Sequence, residues 1–494
     1  MDCETIIGLE VHSQLLTKSK MFCRCGADYI NAAPNARACP VCLGMPGVLP
    51  VINQQALEYA VMTALSLNCA IPDYAKFDRK NYPYPDLMKG YQISQYDAPF
   101  GINGWIDIEV ADEENGGEQN KRKRKINITR VHLEEDTAKL MHRSTAEGES
   151  YSLVDVNRAG SPLMEIVSEP DLRSPEEARQ YLIKLRTILQ FLGVSSGNME
   201  EGSFRCDANI SIRVAGSTDS VKVEVKNMNS FKSVFSALKY EDKRQRKAIE
   251  AGDRLVQETR GWIEDRGVTV SQRSKEYAHD YRYFPEPDLP PMAFSRQWVA
   301  DLRSRLPELP EARRDRYVID YGLSHYDASL LTASKATADF FEACMELNKE
   351  ARAERRAKVV SNWLLGEFTR LLNATETEID NARVTPKLLV DMLELIDNGT
   401  LGGTAAKTVF EEIFNSGRCA SDIIAERELV QISDTSEIGS AVDRVIVSHG
   451  QAVEDYKKGR EQALQFLVGQ VMRETKGRAD YIVVNELIKE RLVT

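Results

Sequence analysis

The chain has 494 residues, a 42% apolar share and a net charge of -11. That is length enough for two to four domains with at least one large core, and too acidic a balance to coat nucleic acid by bulk electrostatics, although local basic patches stay open. No apolar run approaches the roughly 20 residues a membrane helix needs, the first residues lack the basic and apolar regions of a secretory signal, and nine scattered cysteines fit a reducing compartment; a cytoplasmic protein with no membrane partner is expected.

The first element is a strand over Ile6 to Gln14. Period-2 alternation puts Ile7, Leu9 and Val11 on one face and Gly8, Glu10 and His12 on the other. Next comes Cys23-Arg-Cys25, thirteen residues, then Cys39-Pro-Val-Cys42. Two close thiolate pairs across a loop suit a tetrahedral zinc with no open position, hence a structural ion; two reduced or redox-active pairs are the alternative. Phe77-Asp-Arg79-Lys80-Asn-Tyr-Pro-Tyr-Pro-Asp86 interleaves cations with aromatics, which suits phosphate and base contacts, as it also suits a rigid surface loop over packed tyrosines. Ala111 to Lys125, acidic and then Lys-Arg-Lys-Arg-Lys, reads as a solvated hairpin tip or a phosphate-contacting loop.

Further carboxylates stand in His132-Leu-Glu134-Glu135-Asp136, Met164-Glu165-Ile166 and Arg205-Cys-Asp207. Magnesium takes hard oxygen ligands and keeps several waters, so one to three such groups suffice; an exposed polar strand face explains any one of them equally well. Cys206 to Arg213 alternates again, as do Val221, Val223 and Val225 against Lys222, Glu224 and Lys226, which predicts an antiparallel sheet with one packed and one polar face. The proline-rich Phe284 to Pro291 closes this half. Helical periodicity follows over Pro310 to Tyr321, Ala336 to Leu347 and Lys358 to Leu372, with a break at Asn398 to Gly403 and a last helix over Asn485 to Leu492. The fold class expected is α+β: a large antiparallel-sheet domain over residues 1–293 with a zinc-binding insertion near 20–45, an all-helical stretch over 294–407 and a helical tail over 408–494.

Absent are a Gly-x-x-x-x-Gly-Lys-Ser/Thr phosphate loop, a Gly-x-Gly-x-x-Gly fingerprint and any convincing Cys/His nucleophile pair. Cys3, Cys69, Cys206, Cys344 and Cys419 read as ordinary packed thiols.

Taken together, Ile7 to His12, Cys39 to Pro50, Phe77 to Asp86, His132 to Asp136, Asn157 to Glu165, Met199 to Asn209, Asp280 to Asp288, Phe466 to Met472 and Thr475 to Gly477 resemble the GatB/GatE family of tRNA-dependent amidotransferase components, nearly end to end. The resemblance implies a cradle domain that uses ATP and Mg2+ to phosphorylate the side-chain carboxylate of Glu-tRNA(Gln) or Asp-tRNA(Asn), after which ammonia displaces phosphate. It implies that Glu10, His12, Glu134 or Glu135, and Glu165 hold magnesium. Lys80, with Arg79, would neutralise phosphate, and Asp207 would orient ligands or water; for Glu134 and Glu135 strict alternation favours the first and the resemblance the second. It also implies a GatA-type amidase and a small GatC-type protein as partners, and a YqeY-like tail that grips tRNA(Gln) or tRNA(Asn). In that tail Lys457, Lys458, Arg460, Lys476 and Arg478 are the candidate phosphate contacts, or else part of a solvated helix face. The tail departs from the family pattern at Ala479-Asp-Tyr481, where an Asn-Pro pair is common. A tRNA-binding scaffold with a decayed site is the rival reading, disfavoured by the presence of Lys80 and the whole acidic set.

Overall fold

A computed structural model describes residues 2–112, 117–145, 147–217, 219–274, 281–347, 353–427, 429, 435–475, 479 and 481–493. The chain divides into two compact units, Met1–Pro310 and Glu311–Thr494.

In chain order the strands of the first unit are β1 (Cys3–Gln14), β2 (Tyr74–Ala75), β3 (Asp78–Asn81), β4 (Tyr91–Ser94), β5 (Gly101–Asp112), β6 (Gly117–Glu135), β7 (Lys139–Ser144), β8 (Ser150–Asp155), β9 (Pro162–Ser168), β10 (Phe204–Val214), β11 (Val223–Lys226), β12 (Glu258–Ile263), β13 (Val268–Ser274), β14 (Phe284–Pro285) and β15 (Met292–Ala293). Its helices are α1 (Gln54–Ser66), α2 (Pro175–Phe191), α3 (Phe231–Ala251) and α4 (Arg296–Ser304). Eight strands form one sheet in the order β13-β12-β11-β10-β1-β9-β6-β5.

The alternation read from sequence is the alternation of this sheet. Ile7, Leu9 and Val11 of β1 and Cys206, Ala208 and Ile210 of β10 are buried in one core with Tyr181, Leu182 and Leu185 of α2 and Val234, Ala237 and Leu238 of α3. The helices start where side chains can cap them: Ser174 accepts from the Glu177 amide ahead of Pro175, and Ser230 from the Ser233 amide. The opposite, polar face is left free for chemistry.

One expectation needs correction. The sheet is antiparallel except at β11 and β12, which pair in parallel. Parallel neighbours need a long crossover, and α3 is that crossover; strand alternation carries no information on direction. The basic run lies on the second arm of the β5–β6 hairpin, whose tip at 113–116 is outside the described residues: Arg124, on β6, reaches Glu177 of α2 at 2.7 Å, and the Lys125 ammonium lies 4.6 Å from the Trp105 ring centre across the β5–β6 pair.

In the second unit the helix over Pro310–Tyr321 is the one periodicity predicts. The next long run is continuous helical chain from Ala353 to Thr375 with a π segment at Leu364–Phe368. The break at Asn398 to Gly403 precedes a helix over Gly403–Ser416, so the 407/408 junction lies inside that helix, and one apolar core joins Tyr317, Phe368 and Leu389 to Phe410 and Ile423. A separate core gathers Ile438, Val442, Leu467, Val471, Val484 and Ile488. Among the described residues no helix is long and apolar enough to cross a membrane.

Candidate functional site

The polar face of the large sheet carries a cavity of about 440 Å³. Cross-strand register builds its floor: on three adjacent strands His12, Glu165 and His132 stand in one row. The His12 Nε2 lies 3.4 Å from Glu165 Oε2 and 3.5 Å from Glu134 Oε1, and the His132 Nε2 lies 3.1 Å from Glu165 Oε2. Burial works against the charge on His12, but Glu165, then Glu134 and Asp207, outweigh it and hold the imidazole up at about 9. Burial likewise opposes ionisation of Glu165, yet His132 and His12 keep its carboxyl well below the usual range. Opposed shifts of this kind in a buried cluster that lines a cavity mark a candidate functional site.

His12, Glu134 and Glu165 present ligand atoms mutually within 4.8 Å. Adjacent ligands of an octahedral magnesium stand roughly 3 Å apart, so two carboxylates and one imidazole at this spacing fit such an ion with positions left for water. Glu10 lies farther along the same face of β1 and accepts from Asn209 Nδ2 at 2.8 Å, outside that tight group. Asp207 faces Lys226, whose ammonium is 2.7 Å away. Burial disfavours that ammonium's charge, but Asp207 and then Glu224 hold it above the usual lysine range.

Lys80 enters the cavity from β3. Its ammonium is 4.9 Å from the ring centre of Tyr281 and 5.7 Å from that of Tyr82, and among the described residues no carboxylate lies within ion-pair distance of it. Tyr96 stacks on Tyr283 at 4.6 Å along the same rim. Asn81 steadies this wall by donating to the carbonyls of Arg79 and Arg282, the latter held at a positive φ of 45°.

Two residues named from sequence lie elsewhere. Glu135, one residue after Glu134, leaves the strand on the other face, where it accepts from Lys89 and from the Ile93 amide and lines a separate cavity of about 130 Å³ beside Cys23 and Cys42. Alternation forces this, because neighbours on a strand point to opposite sides. Arg79, next to Lys80, is turned away for the same reason: it forms a two-pronged pair with buried Glu286 at 2.7 and 2.8 Å and stacks over Tyr91. Arg79→Met leaves the Glu286 carboxylate without its partner, so the expected result is a loss of about 3–5 kcal/mol of stability, with the KM for ATP changed less than about threefold. A raised KM at normal stability, read by denaturant melts beside kinetics, would return Arg79 to the phosphate site.

Sequence reading missed Ser94, which donates to Glu134 Oε2 at 3.1 Å, and Arg130, whose Nε lies 3.4 Å from His132 Nδ1. Both come from positions with no motif signal. Lys226 and His132 were visible on polar strand positions but had no partner to assign them.

The four cysteines converge. Cys42 Sγ lies 3.3 Å from Cys23, 3.7 Å from Cys39 and 3.7 Å from Cys25. A tetrahedron with 2.3 Å zinc–sulfur bonds has edges of roughly 3.8 Å, so the donor set and its spacing fit zinc. The bond from Cys23 and, after the opposing effect of burial, the Lys20 ammonium pull the Cys42 thiol down to about 4, while burial and its sulfur neighbours push Cys25 up to about 11.

In the tail Lys457, Lys458 and Arg460 are exposed, Lys458 near Glu454 at 3.4 Å and Arg460 near Asp455 at 3.3 Å. They stand beside an open groove lined by His449, Gln462 and Phe466. Lys476 and Arg478 lie outside the described residues.

Comparison with known proteins matches residues 5–300 to the GatB/GatE catalytic domain and residues 339–492 to the GatB domain. The chain is 54% identical over 494 residues to the B subunit of the aspartyl/glutamyl-tRNA(Asn/Gln) amidotransferase of Dehalococcoides mccartyi, covering 99% of each chain. It is 52% identical over 490 residues to its counterpart in Carboxydothermus hydrogenoformans, covering 99% of this chain and 98% of that one, and 53% identical over 493 residues to the one in Moorella thermoacetica, covering all of both.

Proposed function

The chain belongs to the GatB/GatE family of tRNA-dependent amidotransferases, and from that premise we propose that its cradle activates the side-chain carboxylate of Glu-tRNA(Gln) or Asp-tRNA(Asn) for amidation. The observation that carries this reading is the row His12–Glu165–His132 with Glu134 beside it, facing across one cavity a Lys80 that has no carboxylate partner among the described residues.

A carboxylate is a poor acyl donor until one oxygen becomes a leaving group. Transfer of the γ-phosphoryl of ATP to that oxygen gives an acyl phosphate and ADP; ammonia then adds to the acyl carbon, phosphate departs, and the nitrogen loses a proton. Phosphoryl transfer asks chiefly for positioning and neutralised charge. His12, Glu134 and Glu165 would hold Mg2+, with Glu10 on the same polar face beside them; the ion would supply charge neutralisation for the phosphate oxygens. Ser94 and His132 hold the two carboxylates in place. Lys80 contacts phosphate, and Lys226 fixes Asp207 against the neighbouring wall. The tyrosine rim limits water, which would otherwise hydrolyse the activated acid.

Membership of this family implies a complex of several chains. We assign ammonia supply to a GatA-type amidase braced by a small GatC-type protein, since the sequence offers no Cys/His nucleophile pair for glutamine. We assign the catalytic domain to residues 1–293, a helical stretch to the chain from 294, and the tRNA-gripping tail to the chain beyond the core that Phe410 and Ile423 share, a later start than 408, in a cytoplasmic enzyme. The test is amidation by the assembled complex with ATP, glutamine and each mischarged tRNA; formation of neither Gln-tRNA(Gln) nor Asn-tRNA(Asn) would refute it. For the tail, the core that runs through Ile423 and Ile424 sets the cleanest cut after Leu429. That truncation is expected to raise the KM for aminoacyl-tRNA by about tenfold or more, as lost phosphate contacts do, with the KM for ATP unmoved; equal KM values for tRNA would count against the tail's role.

A further inference from the structure

Lys20 has no exposed surface at all. Lysine is among the residues least often fully buried unless paired, because its ammonium must find an acceptor for every proton. Here the three protons meet the Arg37 carbonyl at 2.7 Å, the Val156 carbonyl at 3.4 Å and the Cys42 sulfur at 3.6 Å. Among the described residues no carboxylate lies within ion-pair distance of it. The segment beside the side chain is fixed: the Met21 amide bonds the Gly160 carbonyl at 2.7 Å, and Gly160 holds a φ of 82°, which favours glycine.

A buried cation with neutral carbonyls on two sides needs negative charge on the third. Four thiolates around a divalent ion carry two net negative charges, and the sulfur that Lys20 meets, that of Cys42, belongs to the one cysteine of the four that is buried, where an uncompensated charge is costly. Each feature answers the other. We propose that Lys20 is the resident counter-cation of the Cys23–Cys25–Cys39–Cys42 metal site, holding the site's negative charge inside the fold and slowing loss of the ion. Outer-shell partners of this kind change metal affinity about 10- to 100-fold. Lys20 also ties the cysteine loop to a segment that the ion alone would not reach, the chain at Val156 that leads toward β9.

The experiment is zinc release from the full chain to an excess of a chromogenic chelator, a readout independent of amidation. Lys20→Met removes the charge and keeps the length; Lys20→Gln keeps an NH2 donor for the carbonyls. At least about tenfold faster release is expected from both. In a Cys42→His background, where the site carries one negative charge fewer, the acceleration caused by Lys20→Met is expected to shrink. Release at the wild-type rate overturns the proposal, as does an equal acceleration in both backgrounds. If neither Lys20 variant folds, Lys20 serves the fold and not the ion, and the proposal falls.

Discussion

Glu165→Gln is expected to lower ATP-dependent amidation by about 10³-fold or more while the assembled complex still hydrolyses glutamine. The substitution is nearly isosteric, so the buried floor of the cavity keeps its shape, and what is lost is one negative charge at the centre of the row. That charge has three clients. It is the nearest acidic partner of His12 at 3.4 Å, it receives His132 at 3.1 Å, and it is one of the two carboxylates in the tight ligand group. Removing a single preorganised electrostatic group from an active site costs about 10²–10³ in rate, and a lost metal ligand adds to that. The measurement is single-turnover transfer of labelled γ-phosphate to the mischarged tRNA, with glutamate release as the control. Amidation within tenfold of wild type would remove Glu165 from the site. Glu10→Ala is expected to cost less than Glu165→Gln, since Glu10 stands outside the tight group and bonds Asn209.

The contrast between Glu10 and Glu165 marks how far the sequence reaches. Alternation along β1 put Glu10 and His12 on one polar face, and alternation along β10 did the same for Asp207 and Asn209; both are local properties of a strand with period 2. Which strands lie side by side is not local. That β9 inserts between β1 and β6, and so places Glu165 between two histidines more than a hundred residues apart, depends on sheet order, for which no residue pattern in β1 or β6 gives a sign. Alternation also separates neighbours on a strand, so at most one of Glu134 and Glu135 can face a given cavity, and strict alternation points to Glu134; the same argument applies to Arg79 and Lys80, although the resemblance puts both at phosphate. The parallel pairing of β11 with β12 was invisible for a different reason: a strand's face pattern is the same in either direction. The cysteine spacing, by contrast, was sufficient to name all four members of the cluster, because the chemistry of a closed thiolate site tolerates little else.

Loss of the metal that the four-cysteine site would hold, by Cys42→Ser or by a strong chelator, is expected to loosen residues 20–45 and lower the melting temperature of the chain by about 4–10 °C. Cys42 is the hub, since its sulfur is within 3.7 Å of the other three. Between β1 and α1 the chain has no helix or strand, only an isolated bridge from Ser19 to Gly26 and scattered hydrogen bonds such as those of the Met21 amide to Gly160 and of Asn157 to Ala33. A structural zinc contributes binding free energy of about 10–16 kcal/mol in small domains that depend on it wholly. Here Met21 and Phe22 are anchored in the main core in any case, so a fraction of that, about 2–5 kcal/mol, is the share expected to be lost, and a domain of this size gives roughly 2 °C per kcal/mol. The loss should also spread in one direction. The small cavity shared by Cys23, Cys42, Lys89 and Glu135 borders the strand end that carries Glu134, so hydrogen exchange at residues 132–136 should rise with that at 20–45, while β10, β11 and α3 stay protected. Purified metal-free protein with unchanged exchange in both segments would show that the four thiols need no ion to hold the loop. Exchange confined to 20–45 would show instead that the knuckle is a separate appendage, and that the cradle's ligand geometry rests on the sheet alone.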